Sequence, residues 1–157
     1  MKKKLHTQLT EGYYSISKDT DALYSILAER SGVSEGMFWV LYAICMSEEQ
    51  CTQRDICRVW AMNKQTVNSA LRHLVREDFI TMEVCTEDRR SKLLHFTEKG
   101  REFCDTYIIP IFEAEEQAFE ELTEKERETL MGLTKKLNVL LWNHLSYLLP
   151  EEKGGSL

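Results

Sequence analysis

Apolar residues recur at helical spacing through most of the chain. Between about Lys18 and Arg30, Ala22, Leu23, Ile26 and Leu27 share one helix face, and Ser31-Gly32 ends the segment with turn chemistry. Met37 to Met46 is an unbroken apolar run of ten residues. That is well short of the roughly 20 needed to cross a bilayer, so it reads as a core helix, with Ser34 as its cap. Thr52 precedes Gln53-Arg54-Asp55, which resembles a capping box with the shorter carboxylate, and a short helix is expected to about Val59. After Trp60 to Asn63 a further helix is expected to about Glu77, capped by Asn63. Its apolar members Val67, Ala70, Leu71 and Leu74 fall at i, i+3, i+4 and i+7, on one buried face.

The period then changes to two. Ile80, Met82 and Val84 alternate with Thr81, Glu83 and Cys85, and a second β-rich stretch spans Lys92 to Phe96, which together predict a hairpin. Thr97 caps the next long helix, which Pro110 should kink or break by removing a backbone donor. Thr123 and Glu126 form a full capping box for the last helix. That helix carries Leu130, Leu133, Leu137, Leu140, Leu141, Leu145 and Leu148, more apolar surface than a lone terminal helix can hide. Self-association would cover it, and local core packing is the competing account. The fold class expected is mainly α with a small β-hairpin.

Composition narrows the functional classes. With 157 residues, 43% hydrophobic and 29% charged, and only 7 Gly and 2 Pro, the chain is a compact helix-rich protein without linker-like stretches. The basic start, Lys2 to Lys4, is followed by polar residues where a signal peptide would turn apolar, so a cytoplasmic location is expected, without a membrane partner. Five cysteines without a CxxC pair read as separate reduced thiols. The four histidines are too scattered for a helical metal pair. No glycine-rich phosphate loop or paired catalytic carboxylates occur, so no enzyme, cofactor or metal is expected.

Charge is unevenly placed. The net charge is -6, yet residues 52–101 carry three more basic than acidic side chains, whereas 102–157 carry seven more acidic than basic. A polyanion-binding surface on an acidic protein has this distribution, although a solvated mixed face also accounts for it. Within the basic part, Gln65, Asn68, Ser69, Arg72 and Arg76 lie opposite the apolar face of their helix. Such amides pair with adenine and such arginines with guanine. Two helices, a tight turn and a second helix dressed this way form a helix-turn-helix pattern. The hairpin tip, Glu87-Asp88-Arg89-Arg90-Ser91, reads either as a solvated loop or as a wing whose arginine enters a minor groove.

These residues resemble the MarR family of bacterial winged-helix regulators over nearly the whole chain. The resemblance rests on Asp88-Arg89-Arg90-Ser91-Lys92, followed by apolar residues and then Phe96-Thr97-Glu98-Lys99-Gly100-Arg101, which matches the family's Asp-x-Arg wing and the Thr-x-x-Gly opening of the next helix. Lys64-Gln65-Thr66-Val67 at the start of the recognition helix is also similar. The resemblance implies a homodimer built as a winged helix-turn-helix joined to a helical dimerisation region, with residues 1–33 and 98–149 for dimerisation, 34–97 for DNA binding, and 150–157 expected as a disordered tail.

The resemblance further implies that Arg90 enters the minor groove, Asp88 orients it and Arg89 contacts phosphate. Lys64, Gln65, Thr66, Asn68, Ser69 and Arg72 would face the major groove of double-stranded DNA. A branch of the family senses peroxide through an amino-terminal cysteine, but the first cysteine here is Cys45, inside the apolar second helix. Other members bind small aromatic or lipophilic effectors, for which Tyr13, Tyr14, Tyr24, Trp39 and Tyr42 are the candidate lining. The function expected is that of a ligand-responsive repressor of transcription on a pseudo-palindromic operator. The alternative is a winged-helix protein-interaction module without DNA binding.

Overall fold

The computed structural model describes residues 8–47, 51–85 and 91–149. In chain order the elements are α1 (Gln8–Arg30), α2 (Glu35–Cys45), β1 (Cys51–Thr52), α3 (Gln53–Val59), α4 (Lys64–Arg76), β2 (Ile80–Val84), β3 (Lys92–Phe96), α5 (Glu98–Tyr107), α6 (Ile109–Glu120) and α7 (Glu124–Leu145), with a 3-10 turn at Ser146–Leu148. The chain divides into two compact units, with the boundary between Ile111 and Phe112.

Side-chain caps set most helix starts. Ser34, Thr52, Asn63, Thr97 and Thr123 each accept a backbone N–H from the first turn they precede. Each satisfies one donor that the helix itself leaves orphaned. At Thr52 and Thr123 the box is reciprocal, with Asp55 and Glu126 accepting the cap residue's own N–H. The hydroxyl and N–H of Thr52 hold the Asp55 carboxyl below its ordinary pKa, with Arg58 and Arg54 adding to the effect.

α1 begins ten residues before the segment that sequence periodicity marks out. Tyr13, Tyr14 and Ile16 follow no single apolar stripe, which hides this part of the helix from a periodicity reading. Once nucleated, a helix extends at the gain of one hydrogen bond per residue. Ser17 and Thr20 turn their hydroxyls back onto the carbonyls of Tyr13 and Ile16, as helical serines and threonines do. Gly32 ends the helix with φ of 77°, in the left-handed region that glycine reaches without steric cost.

The core of the first unit gathers Phe38, Val40 and Leu41 of α2, Ile56 of α3, and Val67, Leu71 and Leu74 of α4, joined by Ile80 and Ile108. The predicted hairpin becomes a three-stranded antiparallel sheet of order β1-β3-β2. β3 pairs with β2 from Ile80 opposite Phe96 to Val84 opposite Lys92, and with β1 at Cys51 opposite Leu94. At two residues β1 is too short to carry an alternating pattern, so sequence reading misses it. The break expected near Pro110 falls at Ile108, between α5 and α6, which places the proline in the first turn of α6 where its missing N–H costs little.

In the second unit one guanidinium gathers carbonyls at and just beyond the end of α6. Arg127 Nη1 donates to the carbonyls of Phe119 and Leu122, at 3.0 Å for Phe119. None of the described residues of α7 is buried. Among the described residues no helix is long and apolar enough to cross a membrane.

Candidate nucleic-acid interface

The sequence of α4 divides it lengthwise. Val67, Ala70, Leu71 and Leu74 are buried, while Lys64, Gln65, Thr66, Asn68 and Arg72 are exposed and Ser69 is half-buried. Asn63 fixes the start of the helix by accepting the N–H of Gln65 at 2.7 Å. Asn63, Lys64, Gln65, Asn68 and Arg72 line one shallow depression around that end. Helix dipoles make such an end electropositive, and Lys64 adds a full charge.

Two grooves flank the stripe. On one side Thr66, Ser69 and His73 of α4 face Ser34 and Gly36 at the start of α2. On the other, Lys64, Asn68 and Arg72 face Arg54 and Cys57 of α3 and Ser91 and Lys92 at the tip end of the hairpin. Arg54 Nη2 donates to Ser91 Oγ at 2.9 Å, which ties α3 to the wing across 37 positions of sequence. Among the described residues, Arg54 and Lys92 therefore bring the cations along this groove to four, beside Lys64 and Arg72. Sequence reading missed both, because their neighbourhood is set by sheet pairing and not by spacing on a helix. His73 was missed as well; its Nδ1 lies 2.8 Å from Nη2 of Arg76, which also pairs with Glu77 at 3.2 Å. Asp88, Arg89 and Arg90 at the wing tip lie outside the described residues.

The turn between α3 and α4 is tight. Trp60 is the C-cap of α3, and Ala61 follows with φ of 48°, a left-handed conformation that costs a residue with a Cβ about 1 kcal/mol. The turn thus holds Asn63 and the start of α4 in place.

Of the aromatic candidates, Tyr24, Trp39 and Tyr42 do meet. Tyr24 and Trp39 have ring centroids 5.5 Å apart, and Trp39 and Tyr42 5.3 Å. Trp60, absent from the expected set, joins them at 6.1 Å from Trp39 and 5.2 Å from Tyr42. Tyr13 and Tyr14 stack edge to face on each other at 5.5 Å, about 15 Å earlier along α1. Among the described residues no group of His, Cys, Asp and Glu is arranged to hold a metal. The five cysteines are free thiols; burial pushes the Cys51 thiol up, and contact with Cys45 together with burial does the same for Cys104.

Residues 31–91 match the sequence profile of the MarR family, a span that contains α2, α3, α4 and β2. Over these residues the chain is similar to the MarR family. A curated relative, the HTH-type transcriptional regulator YwhA of Bacillus subtilis, is 30% identical over 87 residues, 55% of this chain and 63% of its own length. The chain thus spans less than two thirds of that relative. Among solved structures, the MarR family regulator NMB1585 of Neisseria meningitidis superposes with a TM-score of 0.73 at 22% identity, covering 92% of this chain and 100% of the other. The MepR-DNA complex of S. aureus gives 0.63 at 23% identity, covering 86% and 99%. At these identities the two structures show that the chain shares their fold beyond the matched residues. In that setting α4 is the second helix of the helix-turn-helix, and β2 and β3 are the strands of the wing.

Proposed function

We propose that the protein is a sequence-specific, DNA-binding regulator of transcription that acts as a homodimer on a pseudo-palindromic operator. The observation that carries this reading is the exposed face of α4. Lys64, Gln65, Thr66, Asn68, Ser69 and Arg72 form a stripe that can hydrogen-bond base edges. The groove beside it collects Arg54, Lys64, Arg72 and Lys92, which are suited to phosphates. A docking module for another protein has no need of both on one surface. Arg90 is assigned to the minor groove, Asp88 to orienting it and Arg89 to phosphate, on the strength of the Asp-x-Arg pattern.

Exposed apolar surface outside the winged helix supports two-fold symmetry. Ile16, Leu23 and Ile26 of α1 and Leu133, Val139 and Trp142 of α7 are each more than half exposed in the single chain. Faces of this kind call for a partner, and a second copy supplies one that also pairs the two recognition helices. The division into residues 34–97 for DNA binding and 1–33 with 98–149 for dimerisation belongs to this reading. Such a regulator acts where the chromosome lies, in the cytoplasm. A repressor role and a small aromatic or lipophilic effector complete it, with the half-buried rings of Tyr24, Trp39 and Trp60, packed around the buried Tyr42, as the candidate seat for a flat apolar ligand.

The test is selection of bound duplexes from a random DNA pool by the purified protein. An enriched inverted repeat with half-sites about one helical turn apart is expected. Failure to enrich any sequence, or enrichment without two-fold symmetry, would overturn the reading.

A further inference from the structure

The carboxyl end of α4 is closed by an unusual form of a common cap. Asp78 follows the C-cap Glu77 with φ of 60°, its N–H donates to the Val75 carbonyl, and the N–H of Phe79 donates to that of Leu74 at 2.9 Å. This is the Schellman arrangement, with aspartate in the left-handed position that glycine ordinarily holds. The cap turns the carbonyls of Glu77, Asp78 and Phe79 outward, away from the helix.

The first turn of α5 takes up all three. Thr97 Oγ1 lies 2.6 Å from the Asp78 carbonyl and 3.1 Å from that of Phe79, whose oxygen also accepts the Thr97 N–H at 3.1 Å. Lys99 Nζ donates to the Glu77 carbonyl at 2.7 Å. The same ammonium sits 4.3 Å from the centre of the Phe79 ring, which in turn packs edge to face on Phe103 of α5 at 5.3 Å. One cation is thus shared between the negative end of the α4 dipole and the face of a ring anchored in α5.

We propose that Lys99 is a positioning residue for DNA recognition: it fixes the direction of α4 by clamping its carboxyl end to α5, and it does not touch DNA. The inference rests on the DNA-binding reading and adds to it. α4 is 13 residues long, so the clamp acts about 18 Å from the end that carries Lys64 and Gln65. A small rotation at the clamped end displaces the base-reading end by a larger distance, and hydrogen bonds to bases tolerate little displacement. Phosphate contacts made by flexible lysines tolerate more. Loss of the clamp therefore falls on sequence preference, while the number of phosphates neutralised stays the same.

The experiment uses the full chain, its selected operator and a random duplex, with wild type, Lys99→Met and Lys99→Arg. Methionine keeps the apolar stem and loses the donor and the charge, whereas arginine can restore both. Thermal midpoints and dimer mass establish that each variant is folded. Lys99→Met is expected to weaken operator binding about three- to tenfold, the scale of a surface cation at a helix end and over a ring. It should bind random DNA as wild type does, and its slope of log affinity against log salt should be unchanged. Lys99→Arg should recover operator affinity.

A slope lowered by about one unit, with equal losses on operator and random DNA, would make Lys99 a phosphate contact and overturn the proposal. Unchanged operator affinity in Lys99→Met, or an arginine variant as weak as the methionine one, would overturn it too. If the wild-type chain itself selects no duplex, the DNA-binding reading fails and takes this inference with it, a result seen before any variant is made.

Discussion

Gly100 packs against the backbone of Phe79 so closely that a Cβ on it would stand 2.0 Å from the Phe79 carbonyl oxygen. The obstructing atom is main chain and cannot rotate away. The glycine of the Thr-x-x-Gly pattern is thus required by close approach between α5 and the segment that joins α4 to β2, and not by any unusual φ of its own.

Replacing Gly100 with alanine should be among the most damaging small substitutions in the winged helix. Overpacking costs about 1 to 3 kcal/mol, and the upper end applies where the obstructing atom is backbone. Urea denaturation of Gly100→Ala is expected to show a lower midpoint. Gly132, whose added Cβ would meet nothing within 4 Å, serves as the control, and Gly132→Ala should be neutral or stabilising in its helix.

The Thr52–Asp55 capping box should make the stability of the winged helix pH-dependent. Hydrogen bonds from Thr52 depress the pKa of Asp55 in the folded chain. A depressed carboxylate contributes stability above its unfolded pKa, near 3.9, and that contribution is lost as pH falls through the folded value. Asp55→Asn should therefore be less stable than wild type at pH 7 by about 1 kcal/mol, a typical cap contribution. The difference should shrink as pH falls below about 4. A stability gap that persisted unchanged in acid would show that the carboxylate charge plays no part.

Dimerisation through the exposed leucine-rich surface has a direct test. Leu133 is 61% and Val139 59% exposed in the single chain. Introducing a charge that a dimer interface would have to desolvate, as in Leu133→Glu or Val139→Glu, should convert a species of twice the chain mass into a monomer in sedimentation. Because neither side chain is buried within the chain, the helical circular dichroism should change little. Operator affinity should fall steeply along with dimer mass.

Wing and recognition helix should separate by their salt behaviour. Arg90→Ala is expected to weaken binding to many sequences and to flatten the log affinity–log salt slope by about one unit. Arg72→Ala should instead cost about 1 to 3 kcal/mol on the operator and much less on random DNA, relaxing preference at one position per half-site. Equal losses on both DNAs would reassign Arg72 to phosphate and pass base reading to Gln65, Asn68 or Ser69.

Most helix boundaries were legible from sequence because they are decided locally. The caps at Ser34, Thr52, Asn63, Thr97 and Thr123 bond to N–H groups two or three residues onward, so the pattern that encodes each bond lies within one turn. The buried and exposed faces of α4 were legible for a similar reason, since helical period alone separates Leu71 from Arg72. Tertiary structure alone decided what lies beside them. Cys51 pairs with Leu94, Arg54 reaches Ser91, Trp60 meets Tyr42, and Lys99 closes on Glu77, each across a span no local period records. Such contacts form only when a sheet or a turn carries distant segments together, and their stabilisation depends on packing that the whole chain must first build.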